Sequence, residues 1–295
     1  MAATIVVAGG TGNLGKRVVK ALKAEGAQVV ALVRPASVGE KTAEIEALGA
    51  KLAAVDLTSA AEMADALRGA ACVVSAVAGL RDVIVDMQLV LLEAALLASV
   101  PRFIPSDFST DFTKLTPGEN RNFDLRREFH ERLDVAAIAS TAIFSGAFGE
   151  ILTYNIPLLD FKKKTVGYWE DADWKMDFTT MNDTAAFTAA AALDPDTPRA
   201  LHIASFQVSA RDLVAFTAKA FGTPYELVRM GSLAELSAYN RRERAAHPEG
   251  ENELYARWQQ SQYVQSMFST HHESLDNDRY AGIVWSKLGD LIKAR

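Results

Sequence analysis

Four glycines within seven residues, Gly9, Gly10, Gly12 and Gly15, form the stretch of this chain best suited to holding a phosphate. A β-branched run, Thr4 to Ala8, precedes them. Apolar residues at Leu14, Val18 and Leu22 follow, spaced as one face of a helix. Strand, glycine turn, helix is the context in which such a pattern binds a dinucleotide. Free backbone N–H groups and the positive end of the helix dipole favour an anion at the helix start. On this reading a side chain at Gly10 or Gly12 would hold the backbone off the pyrophosphate, and one at Gly15 would hold the helix off the strand. The glycines can be spelled Gly10-Gly12-Gly15 or Gly9-Gly12-Gly15. Either way the expected cofactor contacts run through Gly9, Gly10, Thr11, Gly12, Asn13, Leu14 and Gly15.

The second strand, Gln28 to Val33, ends in Arg34, about twenty residues after the glycines. A carboxylate there binds the ribose hydroxyls of NAD, whereas an arginine suits the 2′-phosphate of NADP. No acidic residue lies between Ala27 and Gly39. The expectation is therefore NADP(H) in preference to NAD(H), with NAD(H) left open. Lys16 and Arg17 could add positive charge, although a solvated helix face explains Arg17 as well.

These residues need a scaffold. The chain has 295 residues, 49% hydrophobic and 23% charged, enough for a sizeable core. A net charge of −6 argues against a nonspecific grip on nucleic acid. One cysteine, Cys72, rules out an internal disulfide and sits in an apolar run as a core thiol. No charged n-region and h-region precede the first strand, and the longest apolar run, Leu89 to Val100, carries Glu93. A cytoplasmic protein without a membrane span is expected.

Strands alternate with helices. Ser37 and Glu40 have cap spacing before a helix to Leu48. Lys51 to Leu57 is a strand with Asp56 near its carboxyl end. Ser59 and Glu62 cap a helix to Arg68, Ala71 to Val77 is a fourth strand, and Val83 to Val100 is a long helix. Arg102 to Pro105, a helix from Asn122 to Ile138, and Ser140 to Phe144 follow. This order predicts an α/β fold: a doubly wound parallel sheet, the Rossmann fold, with ligands at the strand carboxyl ends near Gly10, Arg34, Asp56, Val77 and Ser106. On the helix from Asn122, Leu125, Phe129 and Leu133 form the buried stripe, with Arg126 and His130 beside it.

After Gly146 the pattern changes to mixed aromatic and polar residues: Phe148, Tyr154, Phe161, Tyr168, Trp169, Trp174 and Phe178. Residues 1–150 are read as the NADP-binding domain and 151–295 as a smaller, mixed substrate lobe, with 176–193 returning to the first domain. Each aromatic is as well read as core as pocket. Asn182 and Asp183 are expected to cap the helix to Leu193. Ser209 opens a helix ending at Gly222, Ser232 and Glu235 have cap spacing, and Asn252 to Phe268 carries a helical stripe. His202 stands alone in a strand, His271 and His272 are adjacent, and no ligand spacing suggests a metal.

The motifs VAGGTGNLGK, ALVRP and RFIPSDFSTD, with NFDLRREF and KMDFTTMNDTAAFTAAAAL, resemble the NmrA-like and isoflavone-reductase-like proteins, atypical members of the short-chain dehydrogenase/reductase superfamily. The resemblance weakens after Gly222. It implies one of two functions. One is an NADPH-dependent reductase acting on a small aromatic or conjugated carbonyl-type substrate. The other is a nucleotide-binding redox sensor, weakly catalytic or non-catalytic, that works through a protein partner. The reductases carry a lysine where this chain has Arg126. Arginine stays charged and cannot act as a general acid, though it can orient a carbonyl or stabilise an oxyanion. Arg126 and His130 are thus the catalytic candidates, His130 as proton donor unless water serves. No tyrosine here has a lysine four residues on, so the acid/base pair of other superfamily members is missing.

Overall fold

The structure is a computed structural model describing residues 2–293. Six strands form a parallel sheet: β1 (Thr4–Ala8), β2 (Gln28–Val33), β3 (Lys51–Ala54), β4 (Cys72–Ser75), β5 (Arg102–Ile104) and β6 (Ala139–Ser140), in the order β3-β2-β1-β4-β5-β6. This is the doubly wound Rossmann order, and the strand order reverses between β1 and β4. The predicted sixth strand is broken at Thr141. Thr141 N still donates to the Phe103 carbonyl, but Ala142 N turns to Arg199 O, and β7 (Ala142–Phe144) pairs in parallel with β11 (Ala200–His202). One chain segment thereby joins the sheet to a further strand.

Helices cover both faces. α1 (Asn13–Ala24), α2 (Glu40–Ala47) and α6 (Met181–Leu193) lie on one side, where Ile5, Val18, Val19, Ile45, Val74 and Phe187 share a core. α3 (Ala60–Leu67), α4 (Gln88–Leu97) and α5 (Arg121–Leu133) lie on the other, around Val6, Met63, Leu91, Phe103 and Phe129. The alternation of Ile5 and Val7 with Val6 and Ala8 between these two cores is the pleat of β1. Cys72 is buried in the first core, and burial pushes its thiol pKa up to about 12.

A second body is built from β8 (Ala147–Phe148), β9 (Thr165–Trp169), β10 (Met176–Thr179), β12 (Phe206–Val208) and β13 (Glu226–Gly231). Its helices are α7 (Ala210–Phe221), α8 (Leu233–Ala246), α9 (Arg257–Ser269) and α10 (Leu288–Lys293). Its core holds Leu152, Val166, Trp169, Phe178, Leu213 and Phe268. α6 packs on α1, and Leu201, Ile203, Tyr280 and Trp285 also pack against the first core. No helix among the described residues is long and apolar enough to cross a membrane.

Several cap expectations move. Ser59 accepts from Glu62 N, and Ser232 and Glu235 form a reciprocal box. Ser37 instead lies in a 3-10 turn, and α2 starts after Gly39, braced by Thr42. α6 is capped by Thr180, whose hydroxyl accepts from Asp183 N at 3.1 Å, which places Asn182 and Asp183 inside the first turn. The long fourth helix begins as a π-helical turn over Asp82–Met87. α9 starts only at Arg257, after a 3-10 turn at Pro248–Asn252.

Candidate active site

The site lies at the carboxyl edge of the sheet, at the β1/β4 switch point. Gly9 has φ +78°, and a Cβ there would stand 2.5 Å from the Ala76 carbonyl, so the loops after β1 and β4 touch through it. A Cβ at Gly15 would stand 2.1 Å from Gly9 O, which fits its expected part in close helix–strand packing. Gly12 is exposed at the start of α1 and would come within 3.2 Å of Gly9 O. Gly10 departs from expectation. It is buried, and its missing side chain would meet Ala31, Val19 and Ile45. The absence of a side chain there is thus required by packing against the core, and the spelling whose glycines line the turn's own backbone is Gly9-Gly12-Gly15.

The starts of α1, α2, α4 and α9 carry no side-chain cap, whereas Ser59, Asn120, Thr180, Ser209 and Ser232 cap α3, α5, α6, α7 and α8, and of the uncapped starts that of α1 follows the glycine turn at the switch point. The leading N–H groups of α1 are therefore open to an anion. Thr11 and Leu14 are half-buried around this turn, with Leu14 against the first core, and Asn13 is exposed. Arg17 is not a free cation: it bonds to Asn13 and reaches Asn182 Oδ1 at 2.9 Å, tying α1 to α6. Lys16 pairs with Glu44. Arg34 is exposed at the end of β2, and no ion pair engages it among the described residues. Asp56 is exposed in a turn of its own. Its carboxylate accepts from Thr58 N at 2.9 Å and Thr58 Oγ1 at 2.7 Å, and these bonds hold its pKa below the usual range.

The ends of β4 and β5 are stitched together. Ser106 Oγ donates to the Val77 carbonyl at 2.6 Å, and Ser106 N donates to buried Gln88. The Ser106 carbonyl then accepts from Arg126 Nε at 3.0 Å, while Arg126 Nη1 donates to Asn122 O and the guanidinium lies 5.9 Å from the Phe123 ring centre. Arg126 is half-buried and lacks a carboxylate partner among the described residues. It is thus held by neutral groups as an uncancelled positive charge beside the loop after β5.

His130 is placed differently from its expected role. It is 8% exposed, edge-on to Phe112, with Nε2 2.6 Å from Asp107 Oδ2 and Nδ1 3.1 Å from Arg199 Nη2. Arginine can only donate. Nδ1 therefore accepts and Nε2–H points at Asp107. Neither nitrogen is left for a substrate, so His130 braces the loop rather than supplying a proton. Leu125 is only half-buried, and the buried Phe123 packs in a separate cluster with Phe112 and Phe144.

A model of the NmrA-like family matches residues 1–236. The chain belongs to that family. Pinoresinol reductase 1 of Arabidopsis thaliana is 31% identical over 209 residues, 65% of each chain. A bifunctional pinoresinol-lariciresinol reductase of Linum album is 30% identical over 213 residues, 65% of this chain and 64% of that one. The alignments thus span less than two thirds of these relatives. AtPrR2 with NADP+ and (+)pinoresinol superposes with a TM-score of 0.80 at 24% identity, covering 100% of this chain and 99% of that one. The NADPH-dependent quinone oxidoreductase QOR2 of Escherichia coli, complexed with NADPH, gives 0.75 at 20%, covering 98% and 99%. At these identities the likeness is one of fold.

In this NmrA-like protein the second lobe's aromatics are largely core: Trp169 and Phe178 are buried, and Tyr154 is 63% exposed. Sequence spacing misses two further arrangements. Asp107 and Arg199 lie 23 and 69 residues from His130, and no local pattern announces their meeting. His202 is not alone either. Its Nε2 lies 2.9 Å from Asp111 Oδ2, its backbone N donates to Asp276 at 2.7 Å, and its ring stands edge-on to buried His272. His272 N donates in turn to Asp177 Oδ2 at 2.8 Å. This network pins the segment after α9 onto β10 and β11.

Proposed function

We propose that this protein is an NADPH-dependent reductase acting on a small aromatic substrate of the kind named for its pinoresinol-reducing relatives. The observation that carries the reading is the uncapped start of α1 beside the unpaired Arg34. Gly9 and Gly15 let the strand, the helix and the loop after β4 approach closely, Gly12 leaves the helix start uncovered, and the residues present fit a dinucleotide. The N–H groups of Asn13, Leu14 and Gly15 would hold the pyrophosphate, and Arg34 the 2′-phosphate. When bound, the cofactor supplies a hydride from its nicotinamide ring.

Arg126 would bind an oxygen of the substrate and stabilise negative charge developing on it, since the Ser106 and Asn122 carbonyls orient the guanidinium without neutralising it. The balancing proton would come from water, because Arg126 keeps its own proton and His130 has no free nitrogen. Positioning in the cleft would supply much of the rate.

The same absence of a side-chain acid favours a second reading, a cofactor-binding redox sensor with a protein partner. One experiment separates the two: single-turnover oxidation of bound NADPH, followed at its own absorbance, with aromatic acceptors including pinoresinol. Turnover that Arg126→Ala abolishes supports the reductase. Selective NADPH binding with no turnover for any acceptor supports the sensor.

A further inference from the structure

At the opposite, amino edge of the sheet lies an open pocket of about 320 Å³, lined by Arg102, Asp134, Ser140 and Arg199 over a floor that includes Ala136 and Ile138. Arg102 is 8% exposed and has no carboxylate partner among the described residues. Its Nη1 donates to Thr141 Oγ1 at 3.0 Å and Thr197 O at 2.9 Å, and its Nη2 donates to Pro195 O. Arg199 gives Nη2 to His130 Nδ1 and to Asp134. A guanidinium has five N–H donors in a planar fork, so both arginines keep donors in reserve. The Ser140 hydroxyl, at the pocket wall, has no partner among the described residues. Two arginines and one carboxylate, Asp134, which Arg199 alone engages, therefore line the pocket.

We propose that this pocket binds a small organic carboxylate. Arg102 keeps Nε–H and one Nη2–H to meet the two oxygens of a carboxylate, and Arg199, whose Nη2 hydrogens are spent on His130 and Asp134, adds single donors from Nε and Nη1. The apolar floor takes a hydrocarbon body, which distinguishes such a ligand from inorganic phosphate, the other oxyanion the forks would accept. Arg199 is shared between the pocket and His130, so occupancy is felt at His130 Nδ1 and hence along the bond to Asp107. The site is separate from the dinucleotide cleft, and the proposal does not depend on the reductase reading.

The test uses the full chain without nucleotide. Its histidine ring nitrogens are followed by nitrogen-15 NMR during titration with benzoate and, separately, with phosphate. Expected is a saturable shift at His130 Nδ1 with benzoate, weaker with phosphate, and a loss of about tenfold or more in benzoate affinity in Arg199→Gln. For that variant, whose own His130 resonance changes, affinity is read by calorimetry. Ala136→Phe, which fills the half-buried floor and leaves both arginines in place, tests the pocket should Arg199→Gln not fold. Absence of a saturable shift overturns the site, as does unchanged affinity in the variant. Tighter binding of phosphate than of benzoate overturns the carboxylate assignment.

Discussion

His130 Nε2 and Asp107 Oδ2 lie 2.6 Å apart, joining the last turn of α5 to the loop that follows β5. Asp107 is 1% exposed, and its other carboxylate oxygen is buried without a partner. His130→Ala would leave this buried carboxylate with no side-chain hydrogen-bond donor among the described residues. Leaving a buried acceptor unsatisfied costs about 1–3 kcal/mol, and more for a charged one, and urea denaturation should show a loss of at least that order. A loss below about 1 kcal/mol, as for a surface pair, would show that the bracing role is wrong.

Arg34→Ala should weaken NADPH binding by about 1.5–3 kcal/mol, the worth of a hydrogen bond to a charged group, and leave NADH binding nearly unchanged. Calorimetric titration of both cofactors checks this. Equal losses would remove Arg34 from the 2′-phosphate.

Gly15→Ala places a methyl carbon 2.1 Å from a backbone oxygen that cannot swing aside. The helix start must shift, at about 1–3 kcal/mol by analogy with overpacked cores, and dinucleotide affinity should fall with it. Gly12→Ala meets the same oxygen only at 3.2 Å. It should cost less stability while still crowding the exposed helix start. Thermal melts and cofactor titrations of the two variants separate packing from ligand approach.

His272 provides a pH dependence. It is 2% exposed, and burial, together with the neighbouring charge of His202, lowers its pKa to about 3. Well above pH 6.5, the ordinary histidine value, the ring is neutral whether folded or unfolded and contributes no slope. Below that, the unfolded chain takes up a proton that the folded one refuses. Stability should therefore fall as the pH drops from about 6.5 towards 3, by at most about 1.4 kcal/mol per unit. Asp111 adds to the loss at the acid end. Burial opposes its ionisation, but hydrogen bonds from His202 and Thr113 hold its pKa down. Asp177, raised by burial, works in the opposite sense. His272→Gln should flatten the slope of unfolding free energy between pH 6.5 and 4. An unchanged slope would assign the acid sensitivity elsewhere.

What the sequence by itself determined is local. The strand Thr4–Ala8, the glycine turn, the start of α1 and the position of Arg34 depend on residues within a few places of one another, where period and turn chemistry act directly. The alternation of elements then constrained the sheet, because a right-handed parallel crossover leaves few topologies open. Tertiary structure decided the rest. Gly10 and Gly12 are alike on paper, and only the packing of Ala31, Val19 and Ile45 turns one into the core and leaves the other at the helix start. His130 looks like a free acid on a helix face until Asp107 and Arg199 arrive from 23 and 69 residues away. His202 stands alone until His272 is folded onto it. Contacts of that length follow from the tertiary packing of α5 against the loop after β5 and against Arg199 just before β11, and of the segment after α9 against β10 and β11, and no spacing along the chain encodes them.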